Sequence, residues 1–529
     1  MQMLLSKHKR YPWKHYKNVY YRGESFYKNK LYRSDDFGCL LSTWNEGNVK
    51  ENIGLCNGNF IAIITFDESV YVFADKIMSF PILWREKDGD VVITDDVSKI
   101  CDRQGVFRRG VRDLLAFGYV LGNDTIYKNI YSIRGGECLK IQGNKINKSV
   151  YYQHLHNESF GISTDEWLVE LNKVVISVFD RFVKRLNGRQ VVLFLSGGYD
   201  SRLILLNLVK RNYTNLICVS LCASRDKDVI VARQISESLG VKLLTFNFSK
   251  KYWRKLSLDD KFWDFLELSM NGFCLHYLQG MIVNDLVEQG KVEKNCVVVT
   301  GNSGDVGEGE DVCENFYFDH IYSKQDVVEE IINAHGVNIV NNSNIRKEIS
   351  EHIYSLLPGK NEMSFSDAQD VFEYFNWIER QCKYVTSDVR NYDDFIGVDW
   401  LLPLWDDEFV KFWLKVPIKL RYKRKLYYMY VKNDALPTAN VLSLFLRMRR
   451  WLDKHFPISI KIFYPFRQIL MYLTGNITHS YCGVVNIFEY IYLQYKTLGD
   501  KNKFITSVLY KLFKRKYNKN IFSIIKNES

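Results

Sequence analysis

The chain has 529 residues, more than one hydrophobic core supports, since single cores stop growing at about 250–300 residues; two or three domains are expected. An apolar share of 47% with 25% charged residues excludes disordered and collagen-like classes. The net charge of +11 suits phosphorylated or acidic ligands, but a solvated lysine surface explains it equally well. With only 8 prolines and no Gly/Ser-rich linker, the domains should abut directly. The 11 cysteines form no Cys-x-x-Cys pair and no cluster of zinc spacing, which predicts reduced thiols and a cytoplasmic setting. Met1 to Arg10 lacks the apolar core of a secretory signal, and no apolar run reaches the length of about 18 residues that a membrane span needs. The best candidates, near Ile462 and Val484, are interrupted by Arg467 and Glu489.

In chain order, residues 1–155 read as β-rich. Phe60 to Phe66, Val70 to Ala74 and Asp90 to Thr94 are strands, the first two joined through Asp67-Glu68-Ser69 as a hairpin. A helix is expected from Val111 to Ala116, and Gly135-Gly136 turns the chain into a strand from Glu137 to Ile141. This pattern predicts a layered α+β domain. Residues 165 to 185 form an amphipathic helix capped at Ser163-Thr164-Asp165. Strands follow at Val191–Leu195, Leu216–Leu221, Val241–Phe246 and Cys296–Thr300, with a helix from Val229 to Leu239. Apolar strands alternating with helices predict an α/β fold around a doubly wound parallel sheet, whose ligands sit at the carboxyl ends of the strands.

The most informative stretch is Ser196-Gly197-Gly198-Tyr199-Asp200-Ser201, directly after a buried strand. A strand, a glycine turn and a helix start make an anion site. Glycine lets backbone N–H groups approach a phosphate, and the helix N-terminus adds partial positive charge. Ser196 and Ser201 offer hydroxyls to the same anion, and Asp200 suits a magnesium ion bound to it. The Walker ending Gly-Lys-Ser/Thr is absent. A second loop, Gly301-Asn302-Ser303-Gly304-Asp305, closes the strand at Thr300 and again joins glycines to an acid. The stretch 373–432 reads as mainly helical and ends in the cation run Lys423-Arg424-Lys425. From about 436 onward the chain is aromatic and basic. A helical extension with a solvated lysine face is the preferred reading there, with a membrane-surface contact as the rival; nucleic acid is not an expected partner.

The SGGYDS loop resembles the pyrophosphate loop of the ATP pyrophosphatases. Gly58 to Ala62, Ala74-Asp75-Lys76, Ser79 to Trp84 and Ile130 to Glu137 look like the glutaminase-type domain of asparagine synthetases. The likeness covers residues 40 to 435. It is nearest in texture to the branch found in bacterial surface-polysaccharide clusters, on Ser-Gly-Gly-Tyr-Asp-Ser-Arg-Leu, Asn-Ser-Gly-Asp and Leu-Pro-Leu-Trp-Asp. The resemblance implies three parts: 1–155 a degenerate, Ntn-type glutaminase-like domain, 160–435 an ATP-pyrophosphatase domain, and 436–529 a helical basic extension. That glutaminase uses a cysteine at the mature N-terminus. Here Gln2 follows the initiator methionine and the first cysteine is Cys39, so glutaminase activity is expected to be absent.

What the resemblance implies for the site is an ATP and Mg2+ centre. Ser196, Gly197, Gly198, Tyr199, Asp200, Ser201, Gly301 and Gly304 would cradle pyrophosphate, and the backbone at Val219-Ser220 would border adenine. Asp200 and Asp305 would hold magnesium, and Lys425, with Lys423 as second choice, would be the active-site lysine. The family glutamate that helps deprotonate ammonia falls on Asn302, which is no base. The implied activity is amidation of a carboxylate through an acyl-adenylate, with a uronic acid sugar as preferred substrate and ammonia free or from a separate glutaminase. Asparagine synthesis from aspartate, an intramolecular amide-forming cyclase of the β-lactam or lasso-peptide type, and a non-catalytic nucleotide-binding protein are the alternatives.

Overall fold

The computed structural model describes residues 1–102, 105–221, 227–246, 250–275, 279–302, 308–309, 312–313, 315–316, 320–336, 343–433, 484, 489 and 503–525. In the first 150 residues a seven-stranded sheet built on Val19–Tyr27, Asn57–Thr65, Val70–Ala74 and Glu137–Gln142 pairs antiparallel throughout. A four-stranded sheet of Gln2–Leu4, Asp90–Thr94, Leu83–Lys87 and Tyr131–Ser132 forms a second layer. The period of two divides the strand Asn57–Thr65 between two cores. Phe60, Ala62 and Ile64 join Phe37 and Leu41 of the helix Ser34–Ser42, while Ile61 and Ile63 join Leu83 and Ile93 of the second sheet. The expected hairpin turn closes with the Phe66 N–H donating to the Ser69 carbonyl at 2.8 Å.

Five parallel strands form the second half's sheet, in the order Lys242–Phe246, Leu216–Leu221, Val191–Phe194, Val297–Val299, Asp399–Leu401. The central strand is apolar throughout because both its faces are buried. Val191, Leu193 and Leu195 pack with Leu171, Phe179 and Leu205 of the helices Thr164–Leu186 and Tyr199–Lys210. Val192 and Phe194 face the other side, in the cluster that holds Phe265, Ile282 and the N-terminal Ile61 and Ile63. The helix Thr164–Leu186 opens on a capping box, with the Glu166 N–H donating to Ser163 Oγ at 3.3 Å and the Ser163 N–H to Glu166 at 2.8 Å. The strand 191–194 comes first in the chain yet lies mid-sheet, with 216–221 on one side and 297–299 on the other, so its carboxyl end is the sheet's topological switch point. Ligands of such sheets sit at that point, at the carboxyl ends of the strands.

The stretch 373–432 is mainly helical, as expected, with departures in detail. The strand Asp399–Leu401 interrupts it at the sheet edge, and two π-helical segments, Asn376–Gln381 and Arg390–Ile396, flank the helix Cys382–Val389. Each π segment carries buried acids that the N-terminal half engages. Glu379 accepts from the Gly122 N–H at 2.8 Å, Arg134 at 2.8 Å and Lys383 at 2.6 Å. Arg22 reaches Asp393 and Asp394 at 2.8 and 2.9 Å. In the basic C-terminal part, Lys516 lies 2.5 Å from Asp264 and Lys511 2.7 Å from Glu489, so part of that charge is spent internally; the expectations for 434–483 and most of 485–502 lie outside the described residues.

His8 sits in the same acidic cluster, with Nε2 2.6 Å from Asp95 and Nδ1 2.6 Å from Asp394. Both ring nitrogens face carboxylates, so both must donate, and the ring is an imidazolium. Burial alone would lower its pKa, but the hydrogen bonds to Asp394 and Asp95 outweigh it and raise it above 6.5. A raised folded pKa gives stability that is complete below the unfolded value and lost as pH rises through the folded one. Thermal unfolding followed from about pH 6 to about pH 9 should therefore show a falling Tm, a slope that His8→Gln flattens. An identical slope in the variant would exclude the imidazolium.

Candidate active site

The SGGYDS loop leaves the central strand and enters the helix Tyr199–Lys210, with Gly198 as its N-cap residue. Asp200 and Ser201 thus lie in the first helical turn, where the unpaired N–H groups and the helix dipole favour an anion. The Ser196 N–H donates to Ser201 Oγ at 3.2 Å, and the Gly198 N–H to Ser196 Oγ at 3.1 Å. Arg202 donates to the carbonyls of Gly198 at 3.1 Å and Gly197 at 2.5 Å. Arg202 thereby ties both glycine carbonyls to the helix that follows. Asp228 closes one side, near enough that a Cβ on Gly197 would lie 2.4 Å from its Oδ1. Val219 and Ser220 are buried at the end of the adjacent strand; the Val219 carbonyl accepts the Leu195 N–H at 2.9 Å.

The second loop meets the first. A Cβ on Gly301 would stand 2.9 Å from the Ser201 nitrogen and 3.2 Å from Asp200 Cβ, so only glycine allows this approach. Asn302 holds its place through its carbonyl, which accepts the Trp405 indole N–H at 3.1 Å, and its amide reaches Asp388 at 3.4 Å. Gly304 and Asp305 lie outside the described residues.

Two residues that sequence reasoning passed over complete the cluster. Arg424 Nη2 donates both to Asp200 Oδ1 and to Glu308 Oε2. Burial opposes the charge on Arg424, but Glu308 and Asp200 outweigh it and raise its pKa. Glu308 is fully buried, and Gly309 beside it fits so close to Arg421 that a Cβ would lie 2.3 Å from the Arg421 carbonyl oxygen. Lys423 and Lys425, the cations favoured from sequence, are both exposed. Lys423 and Arg424 have left-handed φ values of 53° and 56°, which turns the middle cation inward. Of the two acids expected to hold magnesium, Asp305 lies outside the described residues. Asp200 is held by Arg424, and among the described residues no group of three or more His, Cys, Asp or Glu side chains could hold a metal ion.

Beyond Trp405 lies a cavity of about 50 Å³ between the N-terminal sheets and the parallel sheet. It continues, through Asn57, Arg181 and Asp407, into a groove of about 470 Å³. Lys76 and Lys411 pair with Asp407 at 2.8 and 2.7 Å, and burial lowers the Lys76 pKa. The groove's size is within the range of about 300–1,000 Å³ of small-molecule sites.

No protein-family model matches this chain, and no curated protein matches it. Among solved structures, the glutamine phosphoribosylpyrophosphate amidotransferase of B. subtilis, complexed with ADP and GMP, is similar over 54% of this chain and 63% of its own, at 8% identity and a TM-score of 0.19. This chain thus spans less than two thirds of that protein, and a likeness at that TM-score bears on neither fold nor chemistry. Among the described residues, no helix is long and apolar enough to cross a membrane, and the described cysteines are free thiols.

Proposed function

We propose that the chain is an ATP-dependent carbon–nitrogen ligase that activates a carboxylate as its acyl-adenylate and then amidates it. The observation that carries this reading is the packing of Gly301 on the first turn of the SGGYDS helix, at the point where the parallel sheet reverses its winding. In the first step a carboxylate oxygen attacks the α-phosphorus of ATP, and pyrophosphate leaves toward the N–H groups of the loop. In the second, the nitrogen lone pair attacks the acyl carbon, AMP departs with the bonding electrons, and a proton is released. Activation is required because a carboxylate is a poor electrophile; fixed donors aimed at the leaving phosphates supply the stabilisation. The groove of about 470 Å³ is the proposed acceptor site, and a uronic acid sugar the proposed acceptor. Ammonia would come free or from a separate glutaminase.

The test is formation of AMP and pyrophosphate from ATP, magnesium and ammonium across a panel of nucleotide-linked uronic acids and aspartate. AMP release that depends on one carboxylate, and is lost in Asp200→Ala, is the expected result. Turnover with aspartate alone would replace the sugar by the amino acid. ATP binding without turnover on any carboxylate would remove the ligase reading.

A further inference from the structure

We propose that Arg424 is a resident cation that anchors nucleotide phosphates at the SGGYDS loop in the place of a protein-held divalent metal ion. The proposal rests on the nucleotide reading above. Asp200 comes from the first turn after the central strand, Glu308 from the segment after the second loop, and one guanidinium nitrogen joins them. Two carboxylate oxygens converging from separate loops form the setting that a hard divalent cation ordinarily bridges. Here a side chain of this chain fills it. A guanidinium carries five donors in a planar fork and matches phosphate oxygens in pairs, which a point charge such as lysine does not.

Three features hold Arg424 in that position. The left-handed backbone at residues 423 and 424 is sparsely populated by L-residues and persists only where surrounding contacts demand it. The guanidinium lies over the Tyr427 and Tyr428 rings at 4.4 and 5.5 Å. Tyr428 in turn packs on Tyr199 of the loop, with ring centroids 5.4 Å apart. The cation is therefore tied to the same helical turn as the anion cradle. Its guanidinium stays charged at every working pH and does not depend on free magnesium.

Calorimetric binding of ATP and of pyrophosphate to the full chain, in EDTA and in magnesium, tests this. Wild type should bind both ligands in EDTA within about threefold of its affinity in magnesium. Arg424→Met should lose about tenfold or more in EDTA and become magnesium-dependent, because two carboxylates are released for a metal. Arg424→Lys keeps the charge without the fork and should fall between. Circular dichroism checks that each variant folds, and the wild-type comparison decides the matter even if Arg424→Met does not. Wild-type binding seen only with magnesium, or unchanged metal-free binding in a folded Arg424→Met, would overturn the role of Arg424 and leave the nucleotide reading standing. No binding of ATP or pyrophosphate in either buffer would remove the nucleotide reading and this proposal with it.

Discussion

Arg22→Leu should lower the unfolding free energy by about 3–5 kcal/mol, a large share of what a folded domain has. The Arg22 side chain is fully buried and donates to Asp393 at 2.8 Å, Asp394 at 2.9 Å and the Tyr11 carbonyl at 2.7 Å. It lies 4.5 Å over the Phe80 ring, with Asp95 3.9 Å away. Leucine would leave three buried acids with His8 and Arg390, the latter 3.3 Å from Asp394. Burial already pushes the Asp393 carboxyl up to about 6, with Arg22 opposing the rise; without that cation it would take up a proton near neutrality. The loss lies mainly in stranding the acids, since a buried charge without its partner costs more than the pair gains. Urea unfolding should show the midpoint fall in the variant, with Arg22→Lys intermediate because it keeps charge but loses the fork. A midpoint unchanged in Arg22→Leu would mean that the acids are neutral in the native state and that Arg22 contributes only packing.

That cluster also shows where sequence reading stops. Val70–Ala74, Asp90–Thr94 and Leu216–Leu221 form at the limits expected of them because their signal is local: an apolar run between turn residues. The Ser163 box is local too. The strand Asp399–Leu401, at three residues, is too short to display a period of two, and pairing with Val297–Val299 decides it. A π segment has no sequence marker. Lys383 and Arg390 meet Glu379 and Asp394 at the helical spacing of four, but Arg134 and Arg22 reach these acids from the other half of the chain, which no local pattern announces. In the site, the glycine loops are legible because backbone approach to an anion requires glycine. Which of three consecutive cations turns inward is not, because the sign of φ at Lys423 and Arg424 decides it. Glu308 reaches Arg424 across 116 positions, a pairing no local pattern announces.

Gly301→Val should cut carboxylate-dependent AMP formation by about 10²-fold or more, with a smaller effect on stability of about 1–3 kcal/mol. A Cβ there would stand 2.9 Å from the Ser201 nitrogen and 3.3 Å from the Asp200 carbonyl carbon, and backbone cannot swing aside as a side-chain tip can. One of the two loops must retreat by several tenths of an ångström, and the γ-methyls of valine widen the gap. If the helix start moves, Ser201 Oγ leaves the Ser196 N–H it now accepts at 3.2 Å, and Asp200 leaves Arg424. If the second loop moves instead, Asn302 is drawn from the Trp405 indole. Either displacement spoils the alignment of donors with the leaving phosphates, and misplacement of about 1 Å is enough for a loss of this size. Gly301 is part-buried at a strand end, so the apolar clusters on both faces of the sheet stay as they are and the fall in the urea midpoint should be modest. AMP formation equal to wild type in the valine variant would show that the two loops do not act together on the nucleotide. A parallel collapse of activity and midpoint would make Gly301 a requirement of folding and leave the site untouched by the result.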